Sequence, residues 1–294
     1  MTTYKYGRTY RLEIYLVTGE KIVIEPPFTL NFNITRNAMA SANTGTFSIY
    51  NLKPDTRSKL FHDRFDTTTY QTAILYAGYK GNVPMIFNGN IRMAYSTRQG
   101  TEWITRFDCF DAGYAMINGD LNDGKGLTVP KNYGRRDAII TVIAGMPNVT
   151  RGVVSQFKGQ KISGQDRGMV LTGNAWDTLK GLNPGGLTFI DNNKVNVLDV
   201  NEYISAGQVL LINSKTGLID TPRRQDASLR LKTLLEPNVA IGEIVQVESL
   251  EKENNGQYQV IGLTHSGTIS EAVCADATTQ MDLWIGSAEL KAAA

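Results

Sequence analysis

Residues able to do chemistry are few in this chain of 294, and they are scattered. Only two histidines occur, His62 and His265. His62 stands beside Asp63 in SKLFHDRF, a segment that reads as a short helix; neighbouring helical residues point in different directions, so this is a surface histidine and not a base with its orienting acid. His265 adjoins a turn at Gly267, where hydrogen bonding to backbone accounts for it. Neither has a serine or cysteine nucleophile motif beside it in sequence. Asp108, Asp111, Asp120 and Asp123 crowd together without calcium-loop spacing and read as turn residues. Gly119, Gly124 and Gly126, like Gly181, Gly185 and Gly186, match no phosphate-cradling pattern. Cys109 and Cys274 lie far apart in apolar, strand-like stretches with no metal-ligand spacing, and read as buried thiols. The expectation is a non-enzymatic chain with no catalytic residue, cofactor or metal.

Composition agrees with a folded, structural role. Hydrophobic residues make up 41% and charged residues 20%, and 30 basic against 28 acidic side chains leave a net charge of +2. That is too apolar for a disordered chain and too balanced for one that grips nucleic acid. The pairs Arg135-Arg136 and Arg223-Arg224 are isolated and read as solvated surface. The N-terminal stretch lacks the continuous apolar core of a signal peptide, and no run is long enough to span a bilayer. Synthesis in a reducing cytoplasm is expected, with any departure from the cell inside an assembly or by lysis.

The elements that must hold these residues are mostly strands. Leu12, Ile14 and Leu16, then Ile22 and Ile24, alternate around a Thr18-Gly19 turn, and Phe28 to Ile34 and Phe47 to Ile49 keep the period of two. After Pro54, Asp55 or Thr56 caps a short helix presenting Leu60, Phe61 and Phe65. Strands follow at 72–79, 91–95 and 103–110. Tyr4, Tyr6, Tyr10 and Tyr15 serve either as interface anchors or as strand lining. In the middle, Ile139, Val142, Ile143 and Met146 have helical spacing, and a second helix runs from Asn174 to about Leu182. A hairpin then turns at Asp191-Asn192-Asn193-Lys194. The last third has short strands at 209–212, 229–231, 244–247, 258–260 and 272–274, and its alanine-rich end reads as frayed.

Two blocks resemble one another. Asn88 to Ala112 and Asn255 to Ala277 share Asn-Gly at the start, Thr-x-x-Gly-Thr in the middle and Cys-x-Asp-Ala at the end. Asn88-Gly89 with Asn255-Gly256, Gly100 with Gly267, and Cys109 with Cys274 therefore mark an internal structural repeat of strand, glycine turn and return strand. Upstream, Phe47, Ile49 and Leu52 before Pro54 have the cadence of Leu229, Leu231 and Leu234 before Pro237. The fold class that follows is mainly β with a small α/β insertion. Two related β-barrel-like domains, 1–115 and 205–289, flank a helix-and-hairpin domain at 116–204, with a tail at 290–294.

This order resembles the baseplate hub proteins of phages with contractile or long flexible tails. The run Thr216-Gly217-Leu218-Ile219-Asp220-Thr221-Pro222, then Glu236-Pro237-Asn238, Gly242-Glu243-Ile244-Val245, Asn255-Gly256-Gln257-Tyr258 and His265-Ser266-Gly267 follows that family's cadence. His265-Ser266-Gly267-Thr268 lacks the acidic residue that often follows this glycine, and Ala272-Val273-Cys274 stands where an aromatic is usual. The resemblance implies a structural virion protein at the tail tip or baseplate. Three chains with two barrels each would give a pseudo-sixfold ring joining the sixfold tail tube to a threefold spike or tip. The implied partners are two further copies, a tail tube or distal tail protein and the central spike, with tape-measure protein and DNA passing through the lumen. The alternatives are a receptor- or carbohydrate-binding β module and a tail-associated cell-wall hydrolase.

Overall fold

Alternating apolar residues lay down the first seven strands. In this computed structural model, which describes residues 5–39, 42–63, 71–111, 119–121, 126–162, 167–285 and 290–293, β1 (Arg8–Tyr15) turns through Gly19 into β2 (Lys21–Ile24). The strands β3 (Leu30–Asn37) and β4 (Thr44–Tyr50) form a second hairpin and bury every other residue. Helix α1 (Pro54–Leu60) starts with Pro54, not with a capping Asp55 or Thr56, because Lys53 occupies the cap and makes no side-chain bond. It buries Leu60 and leaves Phe61 exposed, and Phe65 lies outside the described residues. His62 also departs from expectation. It follows the helix, is buried, and exchanges backbone hydrogen bonds with Ala94. The strands β5 (Gln71–Tyr79), β6 (Met85–Gln99) and β7 (Glu102–Phe110) complete this region, with Gly100 at positive φ in the β6–β7 turn.

The middle third is α/β. It comprises β8 (Leu127–Val129), α2 (Arg135–Ala144), β9 (Thr150–Val154), β10 (Met169–Leu171), α3 (Ala175–Leu182), β11 (Leu187–Asp191), β12 (Lys194–Leu198) and β13 (Glu202–Tyr203). The Asn174 side chain caps α3 by accepting from the Trp176 and Asp177 amides. Ala138, Ile139, Val142 and Ile143 on α2 pack with Trp176 and Leu179 on α3 in one core.

The last third returns to β: β14 (Leu210–Ile212), β15 (Arg223–Arg224), β16 (Ser228–Leu234), β17 (Ile244–Val247), β18 (Gly256–Ile269), β19 (Ala277–Trp284) and β20 (Lys291–Ala292). The expected strand at 272–274 is instead a loop, so Cys274 is exposed, and the return strand begins only at Ala277. Cys109 is buried, and burial pushes its thiol pKa up. The expected frayed end is also corrected: β20 pairs in parallel with β13.

One 13-stranded sheet unites both β regions in the order β15-β16-β19-β18-β3-β4-β7-β6-β5-β1-β2, with β17 beside β18 and β14 beside β17. Within it, β3 to β7 lie in the order β3-β4-β7-β6-β5, and β15 to β19 in the order β15-β16-β19-β18-β17. Both long strands carry a bulge, at Ile91/Met93 in β6 and at Val260/Gly262 in β18. Aligned on these bulges, Ile91 opposite Cys109 matches Val260 opposite Leu283, which is two residues out of step with the Asn-Gly blocks.

The glycines explain why. Asn88-Gly89 is no turn: it lies within β6, opposite Ile74 and Ala73. A Cβ on Gly89 would sit 2.6 Å from the Phe110 carbonyl oxygen and 2.8 Å from the Phe87 ring. The glycine is there for close packing, since Phe87 stacks edge-on against Phe47 at 5.3 Å. Asn255-Gly256 closes a longer loop between β17 and β18, where Asn255 Oδ1 accepts from the Ser249 amide. Gly267 lies inside β18 opposite Ala277, with φ +151, and not in a turn.

Gly89→Ala should therefore cost about 1–3 kcal/mol through overpacking. Gly181→Ala, on exposed α3 backbone with open space around it, should stabilise by about 0.5–1 kcal/mol. Thermal unfolding of the two variants checks the opposite signs.

Candidate functional site: the seam between the two β regions

The pairing of β3 with β18 joins segments more than two hundred residues apart, from Gly262 opposite Asn37 to Ile269 opposite Leu30. Period-two alternation gives this seam two unlike sides. Phe32, Ile34, Arg36 and His265 face inward; Asn31, Asn33, Thr35, Thr264, Ser266 and Thr268 face outward.

Arg36 extends the inward row of Phe32 and Ile34 and is only 3% exposed. Its Nη1 donates to both Asp191 carboxylate oxygens, at 3.0 and 3.1 Å. Its Nη2 lies 3.0 Å from Nε2 of His265, which is fully buried. Arginine has no acceptor, so Nε2 must carry the lone pair and Nδ1 the proton. Nδ1–H then donates to Thr279 Oγ1 at 2.8 Å, and the same oxygen accepts from the Glu236 amide at 2.8 Å. Burial first, and the Arg36 charge second, hold the His265 pKa well below its ordinary value, so the imidazole is neutral. Its position in mid-strand, bonded to side chains, corrects the expectation of a turn histidine bonded to backbone.

Asp191 opens the β11–β12 turn, in which Asn192 and Asn193 have φ of 53° and 59°. Asparagine tolerates this left-handed pair, which is the geometry a two-residue hairpin needs. The turn amides of Asn192 and Asn193 donate to Asp111, at 2.6 and 2.7 Å. Asn43 Nδ2 bridges Asp111 and the Ile190 carbonyl. Burial, reinforced by the Asp191 carboxylate, pushes the Asp111 pKa up to about 7 against the pull of its three N–H donors. Glu243 is raised in the same way, chiefly by burial, while accepting from the Ala240 amide. The hairpin tip of the middle unit is thus fastened into the seam by one ion pair and a set of buried hydrogen bonds.

The outward side is different in kind. Across adjacent strands run the row Thr278–Ser266–Asn33–Thr46 and the row Gln280–Thr264–Thr35–Thr44, with Thr268–Asn31–Ser48 beyond them. None of these side chains is charged and none is apolar. One pair bonds laterally, Asn31 Nδ2 donating to Thr268 Oγ1 at 2.9 Å, and beyond the rows Thr29 bonds Ser270 at 2.7 Å. Charges adjoin the rows on both sides: Arg106 and Asp108 of β7, paired with each other, lie opposite Ser48 and Thr46, Arg230 pairs with Asp282, and exposed Lys232 of β16 lies opposite Gln280.

Of the residues singled out in sequence, the structure brings His265 into the seam and places Asp111 in the clamp. Asp108 lies in mid-sheet on β7, between Thr46 of β4 and Met93 of β6, and pairs with Arg106; Asp123 is outside the described residues. Tyr10 lines the core, its hydroxyl donating to the Phe28 carbonyl, whereas Tyr6 and Tyr15 are exposed; Tyr4 is outside the described residues. Sequence reading missed Arg36, Asn43 and Asp191. For Arg36 a signal existed, a charge on the inward phase of an apolar strand. His265 is fully buried and bonded to side chains of two other strands, so the cluster holds segments of the fold together.

The family model described as baseplate hub gp41 matches residues 11–268. No curated protein matches the sequence. The fold is similar to that of the 43 kDa tail protein of prophage MuSo2 from Shewanella oneidensis, with TM-score 0.60 and 9% identity over 94% of this chain and 96% of that one. A tail protein from Neisseria meningitidis MC58 gives TM-score 0.59 at 10% identity, covering 95% and 96%. The Escherichia coli c3393 protein, a type VI secretion component similar in structure to the T4 tail proteins gp27 and gp5, gives 0.56 at 10%, covering 90% and 75%. At such identities the likeness is one of fold.

Arg36→Ala should cost about 3–5 kcal/mol, because it strands a buried carboxylate, and Arg36→Met with Asp191→Leu should recover most of that; urea unfolding measures both. Asp111 keeps its proton in the fold up to about pH 7 but releases it near 3.8 when unfolded, so its contribution is full below about pH 4 and is lost as pH rises through 7. Asp111→Asn removes that loss. The variant's stability relative to the parent should climb between pH 4 and 7 by up to about 1.4 kcal/mol per pH unit, and a pH-independent difference would refute this assignment.

Proposed function

The chain belongs to the baseplate hub gp41 family, and from that premise we propose that three copies close into a pseudo-sixfold ring joining a sixfold tail tube to a threefold central spike or tip. Membership gives the coarse role, a structural component of a phage tail. The finer reading rests on one observation: a single chain carries the strand order β3-β4-β7-β6-β5 again as β15-β16-β19-β18-β17. Two units of one scheme per chain make six from three chains, which is the least elaborate way to meet sixfold and threefold neighbours at once. On this reading the repeated units occupy 1–115 and 205–289, and the unit at 116–204 is held on the seam by its hairpin tip.

The partners are then a tail tube or distal tail protein on one side of the ring and the spike on the other, with tape-measure protein and DNA passing through the opening. The chain is made in the host cytoplasm and carried at the tail tip. The likeness of a neighbouring fold to T4 tail proteins supports this placement.

Light scattering across a concentration series should give a mass near three times the 32.4 kDa of the chain. A monomer at every concentration, together with absence of the chain from purified tails, would overturn the proposal.

A further inference from the structure

The two repeated units carry matching edges, and only one of the two is covered by a strand of the same chain. Aligned on their bulges, Ala94 opposite Phe107 in β6–β7 matches Leu263 opposite Met281 in β18–β19, and Ser96 opposite Thr105 matches His265 opposite Thr279. The match extends to chemistry, since Ser96 Oγ lies 3.0 Å from Thr105 Oγ1 and His265 Nδ1 lies 2.8 Å from Thr279 Oγ1. Each long strand is paired along its first half by the strand that precedes it: β6 by β5 as far as Ile91, and β18 by β17 as far as Gln259. Past the bulge they differ. The second half of β18 takes β3 on that side, from Gly262 to Ile269. Among the described residues, the second half of β6 takes only His62, which exchanges backbone hydrogen bonds with Ala94.

Strand geometry fixes which backbone groups this leaves open. Along a strand the N–H and C=O of successive residues point to opposite sides in the plane of the sheet. Ala94 turns its pair toward His62, so Ser96 and Arg98, in the same phase, turn theirs to the same side. Neither has a backbone partner there among the described residues, and Thr97, Arg98 and Gln99 are exposed. The complementary edge is β15, the last strand of the sheet, which stands for β3 in the repeat. Ile34 lies opposite Gly45, and Gly45 opposite Cys109, as Arg224 lies opposite Leu229, and Leu229 opposite Leu283. Gln225 gives its backbone groups to Ser228, so the adjacent Arg224 turns its own outward. The Arg224 guanidinium is held by Asn254 and the Glu253 carbonyl, which leaves that backbone edge uncovered. Such an edge is a template for a further strand.

We propose that β15 of one copy pairs antiparallel with residues 96–99 of β6 in the next copy, repeating between chains the junction that β3 and β18 make within one. The proposal rests on the ring reading above and adds to it the two edges that close the ring and their register. The occupant of the open edge follows from its equivalent, because the inner seam sets His265 opposite Ile34 and Ser266 opposite Asn33. That places Ser96 opposite Arg224 and Thr97 opposite Arg223. Each chain offers one edge of each kind, so the contact is head-to-tail, the type that generates a ring when its rotation closes. The ladder between chains is shorter than the inner seam, since His62 already occupies Ala94 and Pro222 has no N–H to donate.

The test uses tails carrying the full-length chain with Thr97→Cys and Arg223→Cys, both at exposed positions, in a Cys274→Ser background that removes the exposed native thiol. In the proposed register these two positions face each other without backbone bonds of their own, and the close Cα approach of such a pair suits a disulfide. Under mild oxidation most of the chain should run as covalent dimers and trimers on a denaturing gel, and neither single-cysteine variant should cross-link. Arg224→Pro removes the outward N–H at an edge position, where proline is tolerated. It should cut incorporation into tails at least tenfold relative to Arg224→Ala, with the unfolding temperature of the purified chain unchanged; if that temperature falls, the cross-link alone decides. Absence of the cross-link in tails that hold the double-cysteine chain at the parent's copy number would overturn the proposal, as would parent-like incorporation of Arg224→Pro. Cross-linked dimers that never advance to trimers at full oxidation, or absence of the parent chain from tails, would instead defeat the ring reading itself.

Discussion

Everything else in this molecule depends on the β3–β18 ladder. Without it the two β regions would be separate sheets, each with an open edge of unpaired backbone groups. With it, strand order, core and surface become continuous across the seam. Eight residue pairs fix the register, from Asn37 with Gly262 to Leu30 with Ile269. A slip by one residue would expose Phe32, Ile34 and His265 and bury the outward threonines and asparagines. The register therefore decides the core and the outer face together.

The buried clamp gives that register chemical specificity. An arginine can be buried here because Asp191 neutralises it through Nη1 and His265 accepts from its Nη2, and the histidine in turn is held neutral. Such an arrangement contributes little net stability compared with a well-packed apolar core, but it severely penalises any arrangement that separates its members. Because those members come from β3, β18 and the β11–β12 turn, the clamp ties three regions of the chain to one geometry. The cores interlock in the same sense: Leu235, Ile269 and Ala277 from the last third join the first core, while Ala38 and Phe189 join the third.

The two sides of the seam divide the labour. The inner side spends the charged and aromatic groups on cohesion, and the outer side keeps only neutral polar groups. This division is possible because a strand sends successive side chains to opposite faces, so one eight-residue segment, Leu30–Asn37, supplies both. Cohesion is thus concentrated on the inner side of the seam, and the outer side takes little part in it.

Local patterning determined much of the architecture. The β1–β2 and β11–β12 hairpins, helices α2 and α3, and most of the succession of strands are visible as periodicity and turn chemistry, because these depend on near neighbours in sequence. The order of motifs also pointed to the hub family. Tertiary packing decided the rest. Asn88-Gly89 reads as a turn by its own preferences, yet it lies in a strand because the Phe110 carbonyl and the Phe87 ring leave no room for a side chain. Cys274 reads as buried, yet its loop is exposed because the pairing of β19 begins only at Ala277. Arg36, Asp191 and His265 lie far apart along the chain, and no rule of spacing joins them. Only the β3–β18 register brings them within hydrogen-bonding distance, and burial then fixes their charge states.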